Sequence, residues 1–463
     1  MRNKFLTIFF SVGVIGIATA LLVAFAQTNS QIKKPGTNVA GQSDVNVEAN
    51  ASQMIAAGRK TFRFDTFGDE AFWGDTLRLH QAIEGAALGG VGPGVSPATA
   101  LAVGLKVDSD ALPASVIQAL KAGQLNLNDP AVTLALLKLN AVVGLTGFFN
   151  DQGTLKSVGI QCALCHSTVD NSLAPGIGRR LDGRANRDLN IGAIAALAPN
   201  LQPFADLLGT DQATVQKVFN SWGPGRFDAE LALDGKAFRP DGKTASVLIP
   251  PAFGLAGVNL HTWLGWGSVT HWNAFVANLA MHGKGTFFDP RLNDAPKFPV
   301  AAKAGFGNVR NTPDLITAKL PALHFYQLAI AAPVPPDNSF DHQAAQLGEE
   351  LFNGKARCSN CHVPPLTTEP GWNMHTAAEV CIDDFQASRG PDDRYRTSPL
   401  NGLWTHTKGG FYHDGRFPTL LDVVNHYDSC MNLGLSAQEK ADLVQFLMSL
   451  PKGQEQVMVG SQH

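Results

Sequence analysis

Apolar residues in the later part of the chain recur every three or four positions, the spacing of a helix with one buried face. The clearest case covers residues 437–450, where Leu443, Val444, Leu447 and Met448 share a face. Ser436 with Glu439 three residues on forms a capping box in front of it, and Pro451 and Gly453 close its other end. The same period predicts helices over 130–145, over 211–219 with Asp211 as N-cap, over 341–352 and over 419–427. No stretch alternates apolar and polar residues for long enough to build a large sheet. The expectation is a mainly α protein with little β and long irregular connections, the latter rich in the 46 Gly and 27 Pro.

The N-terminal apolar run has no such period. It extends unbroken over residues 5–25 behind Arg2 and Lys4 and ends on Ala24-Phe25-Ala26. A basic head, an apolar stretch and a small-x-small site describe an export signal over 1–26. An uncleaved membrane anchor is the alternative, because about 20 apolar residues span a bilayer. Residues 27–51, rich in Asn, Gln, Ser and Gly, read as a flexible tether. Either way the folded part is expected in the periplasm or outside the cell.

At 463 residues the chain is long enough for two or three domains, and 44% hydrophobic against 16% charged residues is a core-building composition. Lys plus Arg number 36 against 39 acids, a net charge of −3, which argues against nucleic acid as a partner.

Cysteine chemistry changes the picture most. Four of the six cysteines fall in two five-residue runs, Cys162-Ala163-Leu164-Cys165-His166 and Cys358-Ser359-Asn360-Cys361-His362. One such run arises by chance on the order of 10⁻³ times per chain of this composition, and two far more rarely. Thiols three positions apart on a turn reach both vinyl groups of one haem, and the next histidine lies under the iron. Structural zinc sites use Cys pairs but need no histidine directly after each, and a redox dithiol ordinarily occurs once and follows a strand. The expectation is two covalently bound haem c groups, with His166 and His362 as proximal ligands. The proline-rich stretch 331–337 would join two cytochrome c-like halves, 52–335 and 336–463. Outside the cytoplasm the remaining Cys381 and Cys430 are expected to form a disulfide, with free buried thiols as the alternative.

Further segments add a resemblance over residues 142–450. Phe148-Phe149-Asn150-Asp151 and Gly159-Ile160-Gln161 lead into the first haem motif. Pro250-Pro251-Ala252-Phe253-Gly254-Leu255 and Trp263-Leu264-Gly265 follow it. Leu351-Phe352-Asn353-Gly354-Lys355-Ala356 precedes the second motif, and Tyr395-Arg396-Thr397-Ser398-Pro399-Leu400 and Gly410-Phe411-Tyr412-His413-Asp414-Gly415 come after it. In these the chain resembles the bacterial di-haem cytochrome c peroxidases and their relatives. The resemblance implies an oxidoreductase in which haem two accepts electrons, from a small cytochrome or cupredoxin, and haem one meets peroxide or O₂. It makes Trp263 the bridge between haems and puts His413 beside one of them. A di-haem electron carrier without its own substrate is the alternative.

Two departures from the family pattern stand out. The peroxidases carry a glutamate after the tryptophan segment, whereas residues 271–282 contain no acid. Weak peroxide turnover is therefore expected, with His271 and His261 as candidate substitutes. The far ligand of haem two, a methionine in typical members, falls by residue count on Tyr427 with His426 beside it. Met374, His375 and Met431 are further options. A tyrosine there is similar to the di-haem enzyme that matures the quinone of methylamine dehydrogenase, and the missing acid is similar to the di-haem rubber oxygenases.

Overall fold

Side-chain caps set where the helices begin. In the computed structural model, which describes residues 41–452, Asp211 accepts from the Thr214 amide and starts the helix Gln212–Trp222. Asp341 does the same for His342–Asn353. Reciprocal capping boxes, Thr419 with Asp422 and Ser436 with Glu439, open Leu420–Met431 and Ala437–Met448. Each satisfies amides that the first turn leaves without partners.

The helix expected over 130–145 stops early, as Pro130–Lys138. Asn140 takes a positive φ of 52°, and the chain turns into the strand Leu145–Phe149, paired antiparallel with Leu155–Ile160. The latter strand is buried at five of its six positions. A strand covered on both faces shows no alternation, so the sequence pattern hides it. Strands among the described residues pair only in twos, in five separate ribbons, and the protein is mainly α.

The signal expected over 1–26 and the first part of the tether, 27–40, lie outside the described residues. The rest of that tether is helical, because the helix Gln42–Phe64 begins inside it. Val45, Val47, Ala49 and Ala51 alternate there with the polar residues that suggested flexibility. By compactness the described residues divide after Ser52, and residues 53–452 belong to one unit. No helix among the described residues is long and apolar enough to cross a membrane.

Within the second unit three large apolar clusters, with a small one of Ala252, Leu255 and Val269, form the core. The first surrounds the earlier haem motif and includes Phe62, Leu137, Val158, Ala163 and Leu164. The next gathers Trp266, Phe275, Phe298 and Tyr395. The last packs Phe352 and Val424 against Phe446 and Leu447. There the helices His342–Asn353 and Ala437–Met448 meet so closely at Gly348 that a Cβ would lie 2.1 Å from the Asp442 carbonyl oxygen. The proline-rich stretch 331–337 is tied down, with the Pro333 carbonyl accepting from Trp404 Nε1 at 2.8 Å. Cys381 and Cys430 are bonded, closing a loop of 49 residues onto the end of Leu420–Met431.

Candidate functional site

The first Cys-x-x-Cys-His run forms the short helix Cys162–His166, and the second begins on the helical turn Cys358–Asn360. The four cysteines are free. Burial pushes the thiols of Cys162 and Cys165 up to about 12 and that of Cys358 to about 11. A redox dithiol needs the opposite shift, toward thiolate, so neither pair is arranged as one.

The two histidines that follow are held alike. His166 Nδ1 lies 3.1 Å from the Pro250 carbonyl oxygen, and His362 Nδ1 lies 3.0 Å from that of Thr367. A carbonyl only accepts, so Nδ1 carries the proton in each ring and Nε2 keeps its lone pair. Burial lowers both imidazoles, His166 to about 4, which keeps them neutral and able to bind a metal at pH 7.

Each motif opens on a cavity. The larger, of about 650 Å³, is lined by Cys358, Cys361, His362, His413 and Tyr427. The smaller, of about 180 Å³, is lined by Cys162, Cys165, His166 and His282. Trp263 lines both, so it stands in the wall between them. Its Nε1 donates to the Leu248 carbonyl at 2.8 Å, and the Leu248 amide donates to the His413 carbonyl at 2.7 Å. That chain fixes the indole relative to both sides.

The walls differ in charge. Arg184, Arg187 and Arg396 line the larger cavity, and none of them pairs with a carboxylate among the described residues. Burial lowers all three, Arg187 and Arg396 to about 10. One Arg187 guanidinium nitrogen, His406 Nε2 and His413 Nε2 are buried there without a hydrogen-bond partner. Half-buried guanidiniums without a carboxylate partner, of which Arg396 donates to the Thr262 and Leu260 carbonyls, fit an anionic group in the cavity. No arginine or lysine lines the smaller cavity, whose charged members are Asp228 and Glu230.

These placements revise several expectations. His261 and His271 do not line the smaller cavity: His261 Nε2 meets the Val258 carbonyl at 3.2 Å, and His271 Nε2 meets Asp289 at 3.0 Å. The resemblance places both near the first motif, but these partners hold the two rings away from its cavity. His282 faces the cavity instead, held at a positive φ of 63° with its ring stacked 3.7 Å from Phe72. Burial lowers its imidazole to about 4.

Of the pair on the helix Leu420–Met431, Tyr427 faces the larger cavity and His426 does not. His426 Nε2 is engaged by the Val380 carbonyl at 2.9 Å, and its ring packs on Phe417. His375 and Met431 also line this cavity, whereas Met374 does not. Cys361, Glu369 and His375 form a trio whose donor atoms lie within 4.8 Å of one another. Asp228 and Glu230 were missed by the sequence reading, and only tertiary packing brings them to the first motif, whereas His282 closes the segment 271–282 expected beside it.

The donor set fits haem at both motifs: paired protonated thiols for thioethers, a neutral imidazole with Nε2 free and, at the larger cavity, unpaired guanidiniums for carboxylates. No family model matches this chain, and no curated protein matches it. Among solved structures, a MauG-like protein associated with microbial copper homeostasis is 19% identical, with 50% of this chain and 78% of that one covered, at a TM-score of 0.29. Hydrazine synthase from Kuenenia stuttgartiensis is 18% identical, covering 46% and 76%, at a TM-score of 0.27. Similarity at this level does not establish a common fold, and the functional reading rests on this chain's own residues.

Proposed function

We propose that this chain is a di-haem c-type oxidoreductase that works outside the cytoplasm. Cys162, Cys165 and His166 would hold one haem, and Cys358, Cys361 and His362 the other. The observation that carries this reading is the shared wall: two Cys-x-x-Cys-His turns open on two cavities, and Trp263 lines both.

Haem supplies one-electron chemistry and, where an axial position is open, reaction with peroxide or O₂. The residues divide the work around it. His166 and His362, each oriented by a backbone carbonyl, would hold the metal through Nε2. Arg184, Arg187 and Arg396 would neutralise the propionates in the larger cavity. Tyr427, which lines that cavity, would offer the haem an oxygen donor, and such a donor would favour the ferric state more than the methionine of a typical cytochrome c does. Trp263 carries electrons between the two sides, which a small cytochrome or cupredoxin would supply.

The deciding assay is haem stoichiometry. Acid–acetone should leave haem on the polypeptide, a pyridine haemochrome assay should give two per chain, and replacing Cys162 and Cys165 by Ala should remove one. Extractable haem, or stoichiometric zinc drawn to Cys361, Glu369 and His375, would sink the reading. His282 favours a second reading, since a second imidazole in the smaller cavity suits a six-coordinate electron carrier without its own substrate. Cyanide and CO bind only an accessible iron; a spectral response from one haem supports the oxidoreductase, and silence from both supports the carrier.

A further inference from the structure

The acid absent from residues 271–282 has a counterpart on another element. Asp228 and Glu230 line the smaller cavity and are 3% and 4% exposed. Asp234 lies just behind, also buried. Ion pairs among the described residues give these three carboxyls one cation, Arg389, which is wholly buried. It contacts Asp234 through two nitrogens at 2.8 and 3.0 Å and Asp228 Oδ1 at 2.9 Å. Glu230 has no ion pair; its oxygens accept from Trp266 Nε1 at 3.2 Å and Gln386 Nε2 at 3.3 Å. Three buried carboxylates against one guanidinium leave an excess of negative charge that the interior tolerates only by keeping a proton.

The two oxygens of Asp228 differ. Oδ1 is anchored by Arg389 and by the Leu231 amide at 3.0 Å. Oδ2 is buried and has no partner. Gln386 Oε1, from the same cavity lining, is likewise buried and unpartnered.

We propose that Asp228 is the proton carrier of the smaller cavity, exchanging a proton through its free Oδ2 with an oxygen-containing ligand there. This rests on the oxidoreductase reading. Two-electron reduction of hydrogen peroxide breaks the O–O bond, takes up two protons and two electrons and releases two waters. The electrons come from a reduced small redox protein. Asp228 gives its proton to the departing oxygen, is left as carboxylate, and regains a proton from solvent. Burial, reinforced by the charges of Glu230 and Asp234 and opposed by Arg389, pushes its carboxyl up to about 7. A general acid is most effective with its pKa near the operating pH.

The test combines difference infrared spectroscopy with peroxide consumption by the intact di-haem protein. The wild type should show a protonated carboxyl band that titrates away near neutral pH. Asp228→Asn should lose it, and Asp234→Asn, which removes a charge that raises Asp228 and leaves Arg389 to Asp228 alone, should move its titration to lower pH without abolishing it. Peroxide consumption in Asp228→Asn should fall roughly 10²–10⁴-fold, with two haems per chain and CO binding unchanged, and Asp228→Glu should restore part of it. Absence of the band in the wild type overturns the proposal even if no variant folds. So does its survival in Asp228→Asn, or consumption there at the wild-type rate. Failure of the haem reading shows separately, in the stoichiometry.

Discussion

Tyr427 and His426 are neighbours in sequence with opposite fates, and the difference is testable. Tyr427 faces the larger cavity, while His426 is spent on the Val380 carbonyl. Tyr427→Phe should change the spectrum of one haem and raise its potential. His426→Ala should leave both spectra unaltered. A change confined to His426→Ala would overturn the assignment and require the helix to rotate. At this scale the sequence was readable where chemistry is local. The two Cys-x-x-Cys-His runs are visible as a five-residue spacing, and the disulfide expected of the two remaining cysteines, Cys381 and Cys430, is present. Asp228 and Glu230 were not readable in the same way. They reach Cys162 only through packing, and the resemblance made His261 and His271 look nearer than they are.

At the scale of elements, the helix Leu420–Met431 carries Tyr427 and is held at both ends. A capping box fixes its start, and the bond from Cys430 to Cys381 fixes its end. In the chain-entropy model a loop of 49 residues makes that bond worth about 4 kcal/mol. Replacing both cysteines by serine should lower the urea midpoint and broaden the spectrum of the haem beside Tyr427, leaving the other sharp. Gly348 is the second sensitive point. Gly348→Ala forces a Cβ against the Asp442 carbonyl, and overpacking of this kind costs about 1–3 kcal/mol, measurable as a lower urea midpoint. Caps announced these helices in the sequence because a cap is a short-range signal. Their ends carry no such signal, and the strand 155–160, buried at five of its six positions, left no periodic trace. The smaller cavity is bounded in part by a stretch of π-helix, Val276–Ala280, followed directly by Met281 and His282. The wider turn shifts the register of that wall, and such turns concentrate at functional sites.

For the whole molecule, the wall between the cavities is the organising feature. Trp263→Phe should keep both haem spectra and slow electron equilibration between them after a rapid reduction pulse; equilibration at the wild-type rate would remove Trp263 from the path. The same region carries a pH dependence. Burial raises the Asp383 carboxyl, but hydrogen bonds and charges from Arg416 and Arg239 outweigh it and hold the group down at about 2. A depressed acid adds stability above its unfolded pKa of about 4 and loses that contribution as pH falls through the folded value. The urea midpoint should therefore drop on acidification from about pH 4 toward 2, and Asp383→Asn should flatten that limb. An unchanged acid limb in the variant would assign it to other carboxylates.

The single disulfide also constrains how such a protein could be assembled. Six cysteines admit 15 complete pairings, yet only Cys381 and Cys430 are joined. The other four form two pairs so close in sequence that each could oxidise onto itself before it met a porphyrin. A cell that makes the proposed product must therefore run oxidation and reduction side by side in one compartment. It must seal the distant pair while holding the adjacent pairs open. The yield of the finished molecule would then depend on the balance of two opposed catalysts as much as on its own sequence.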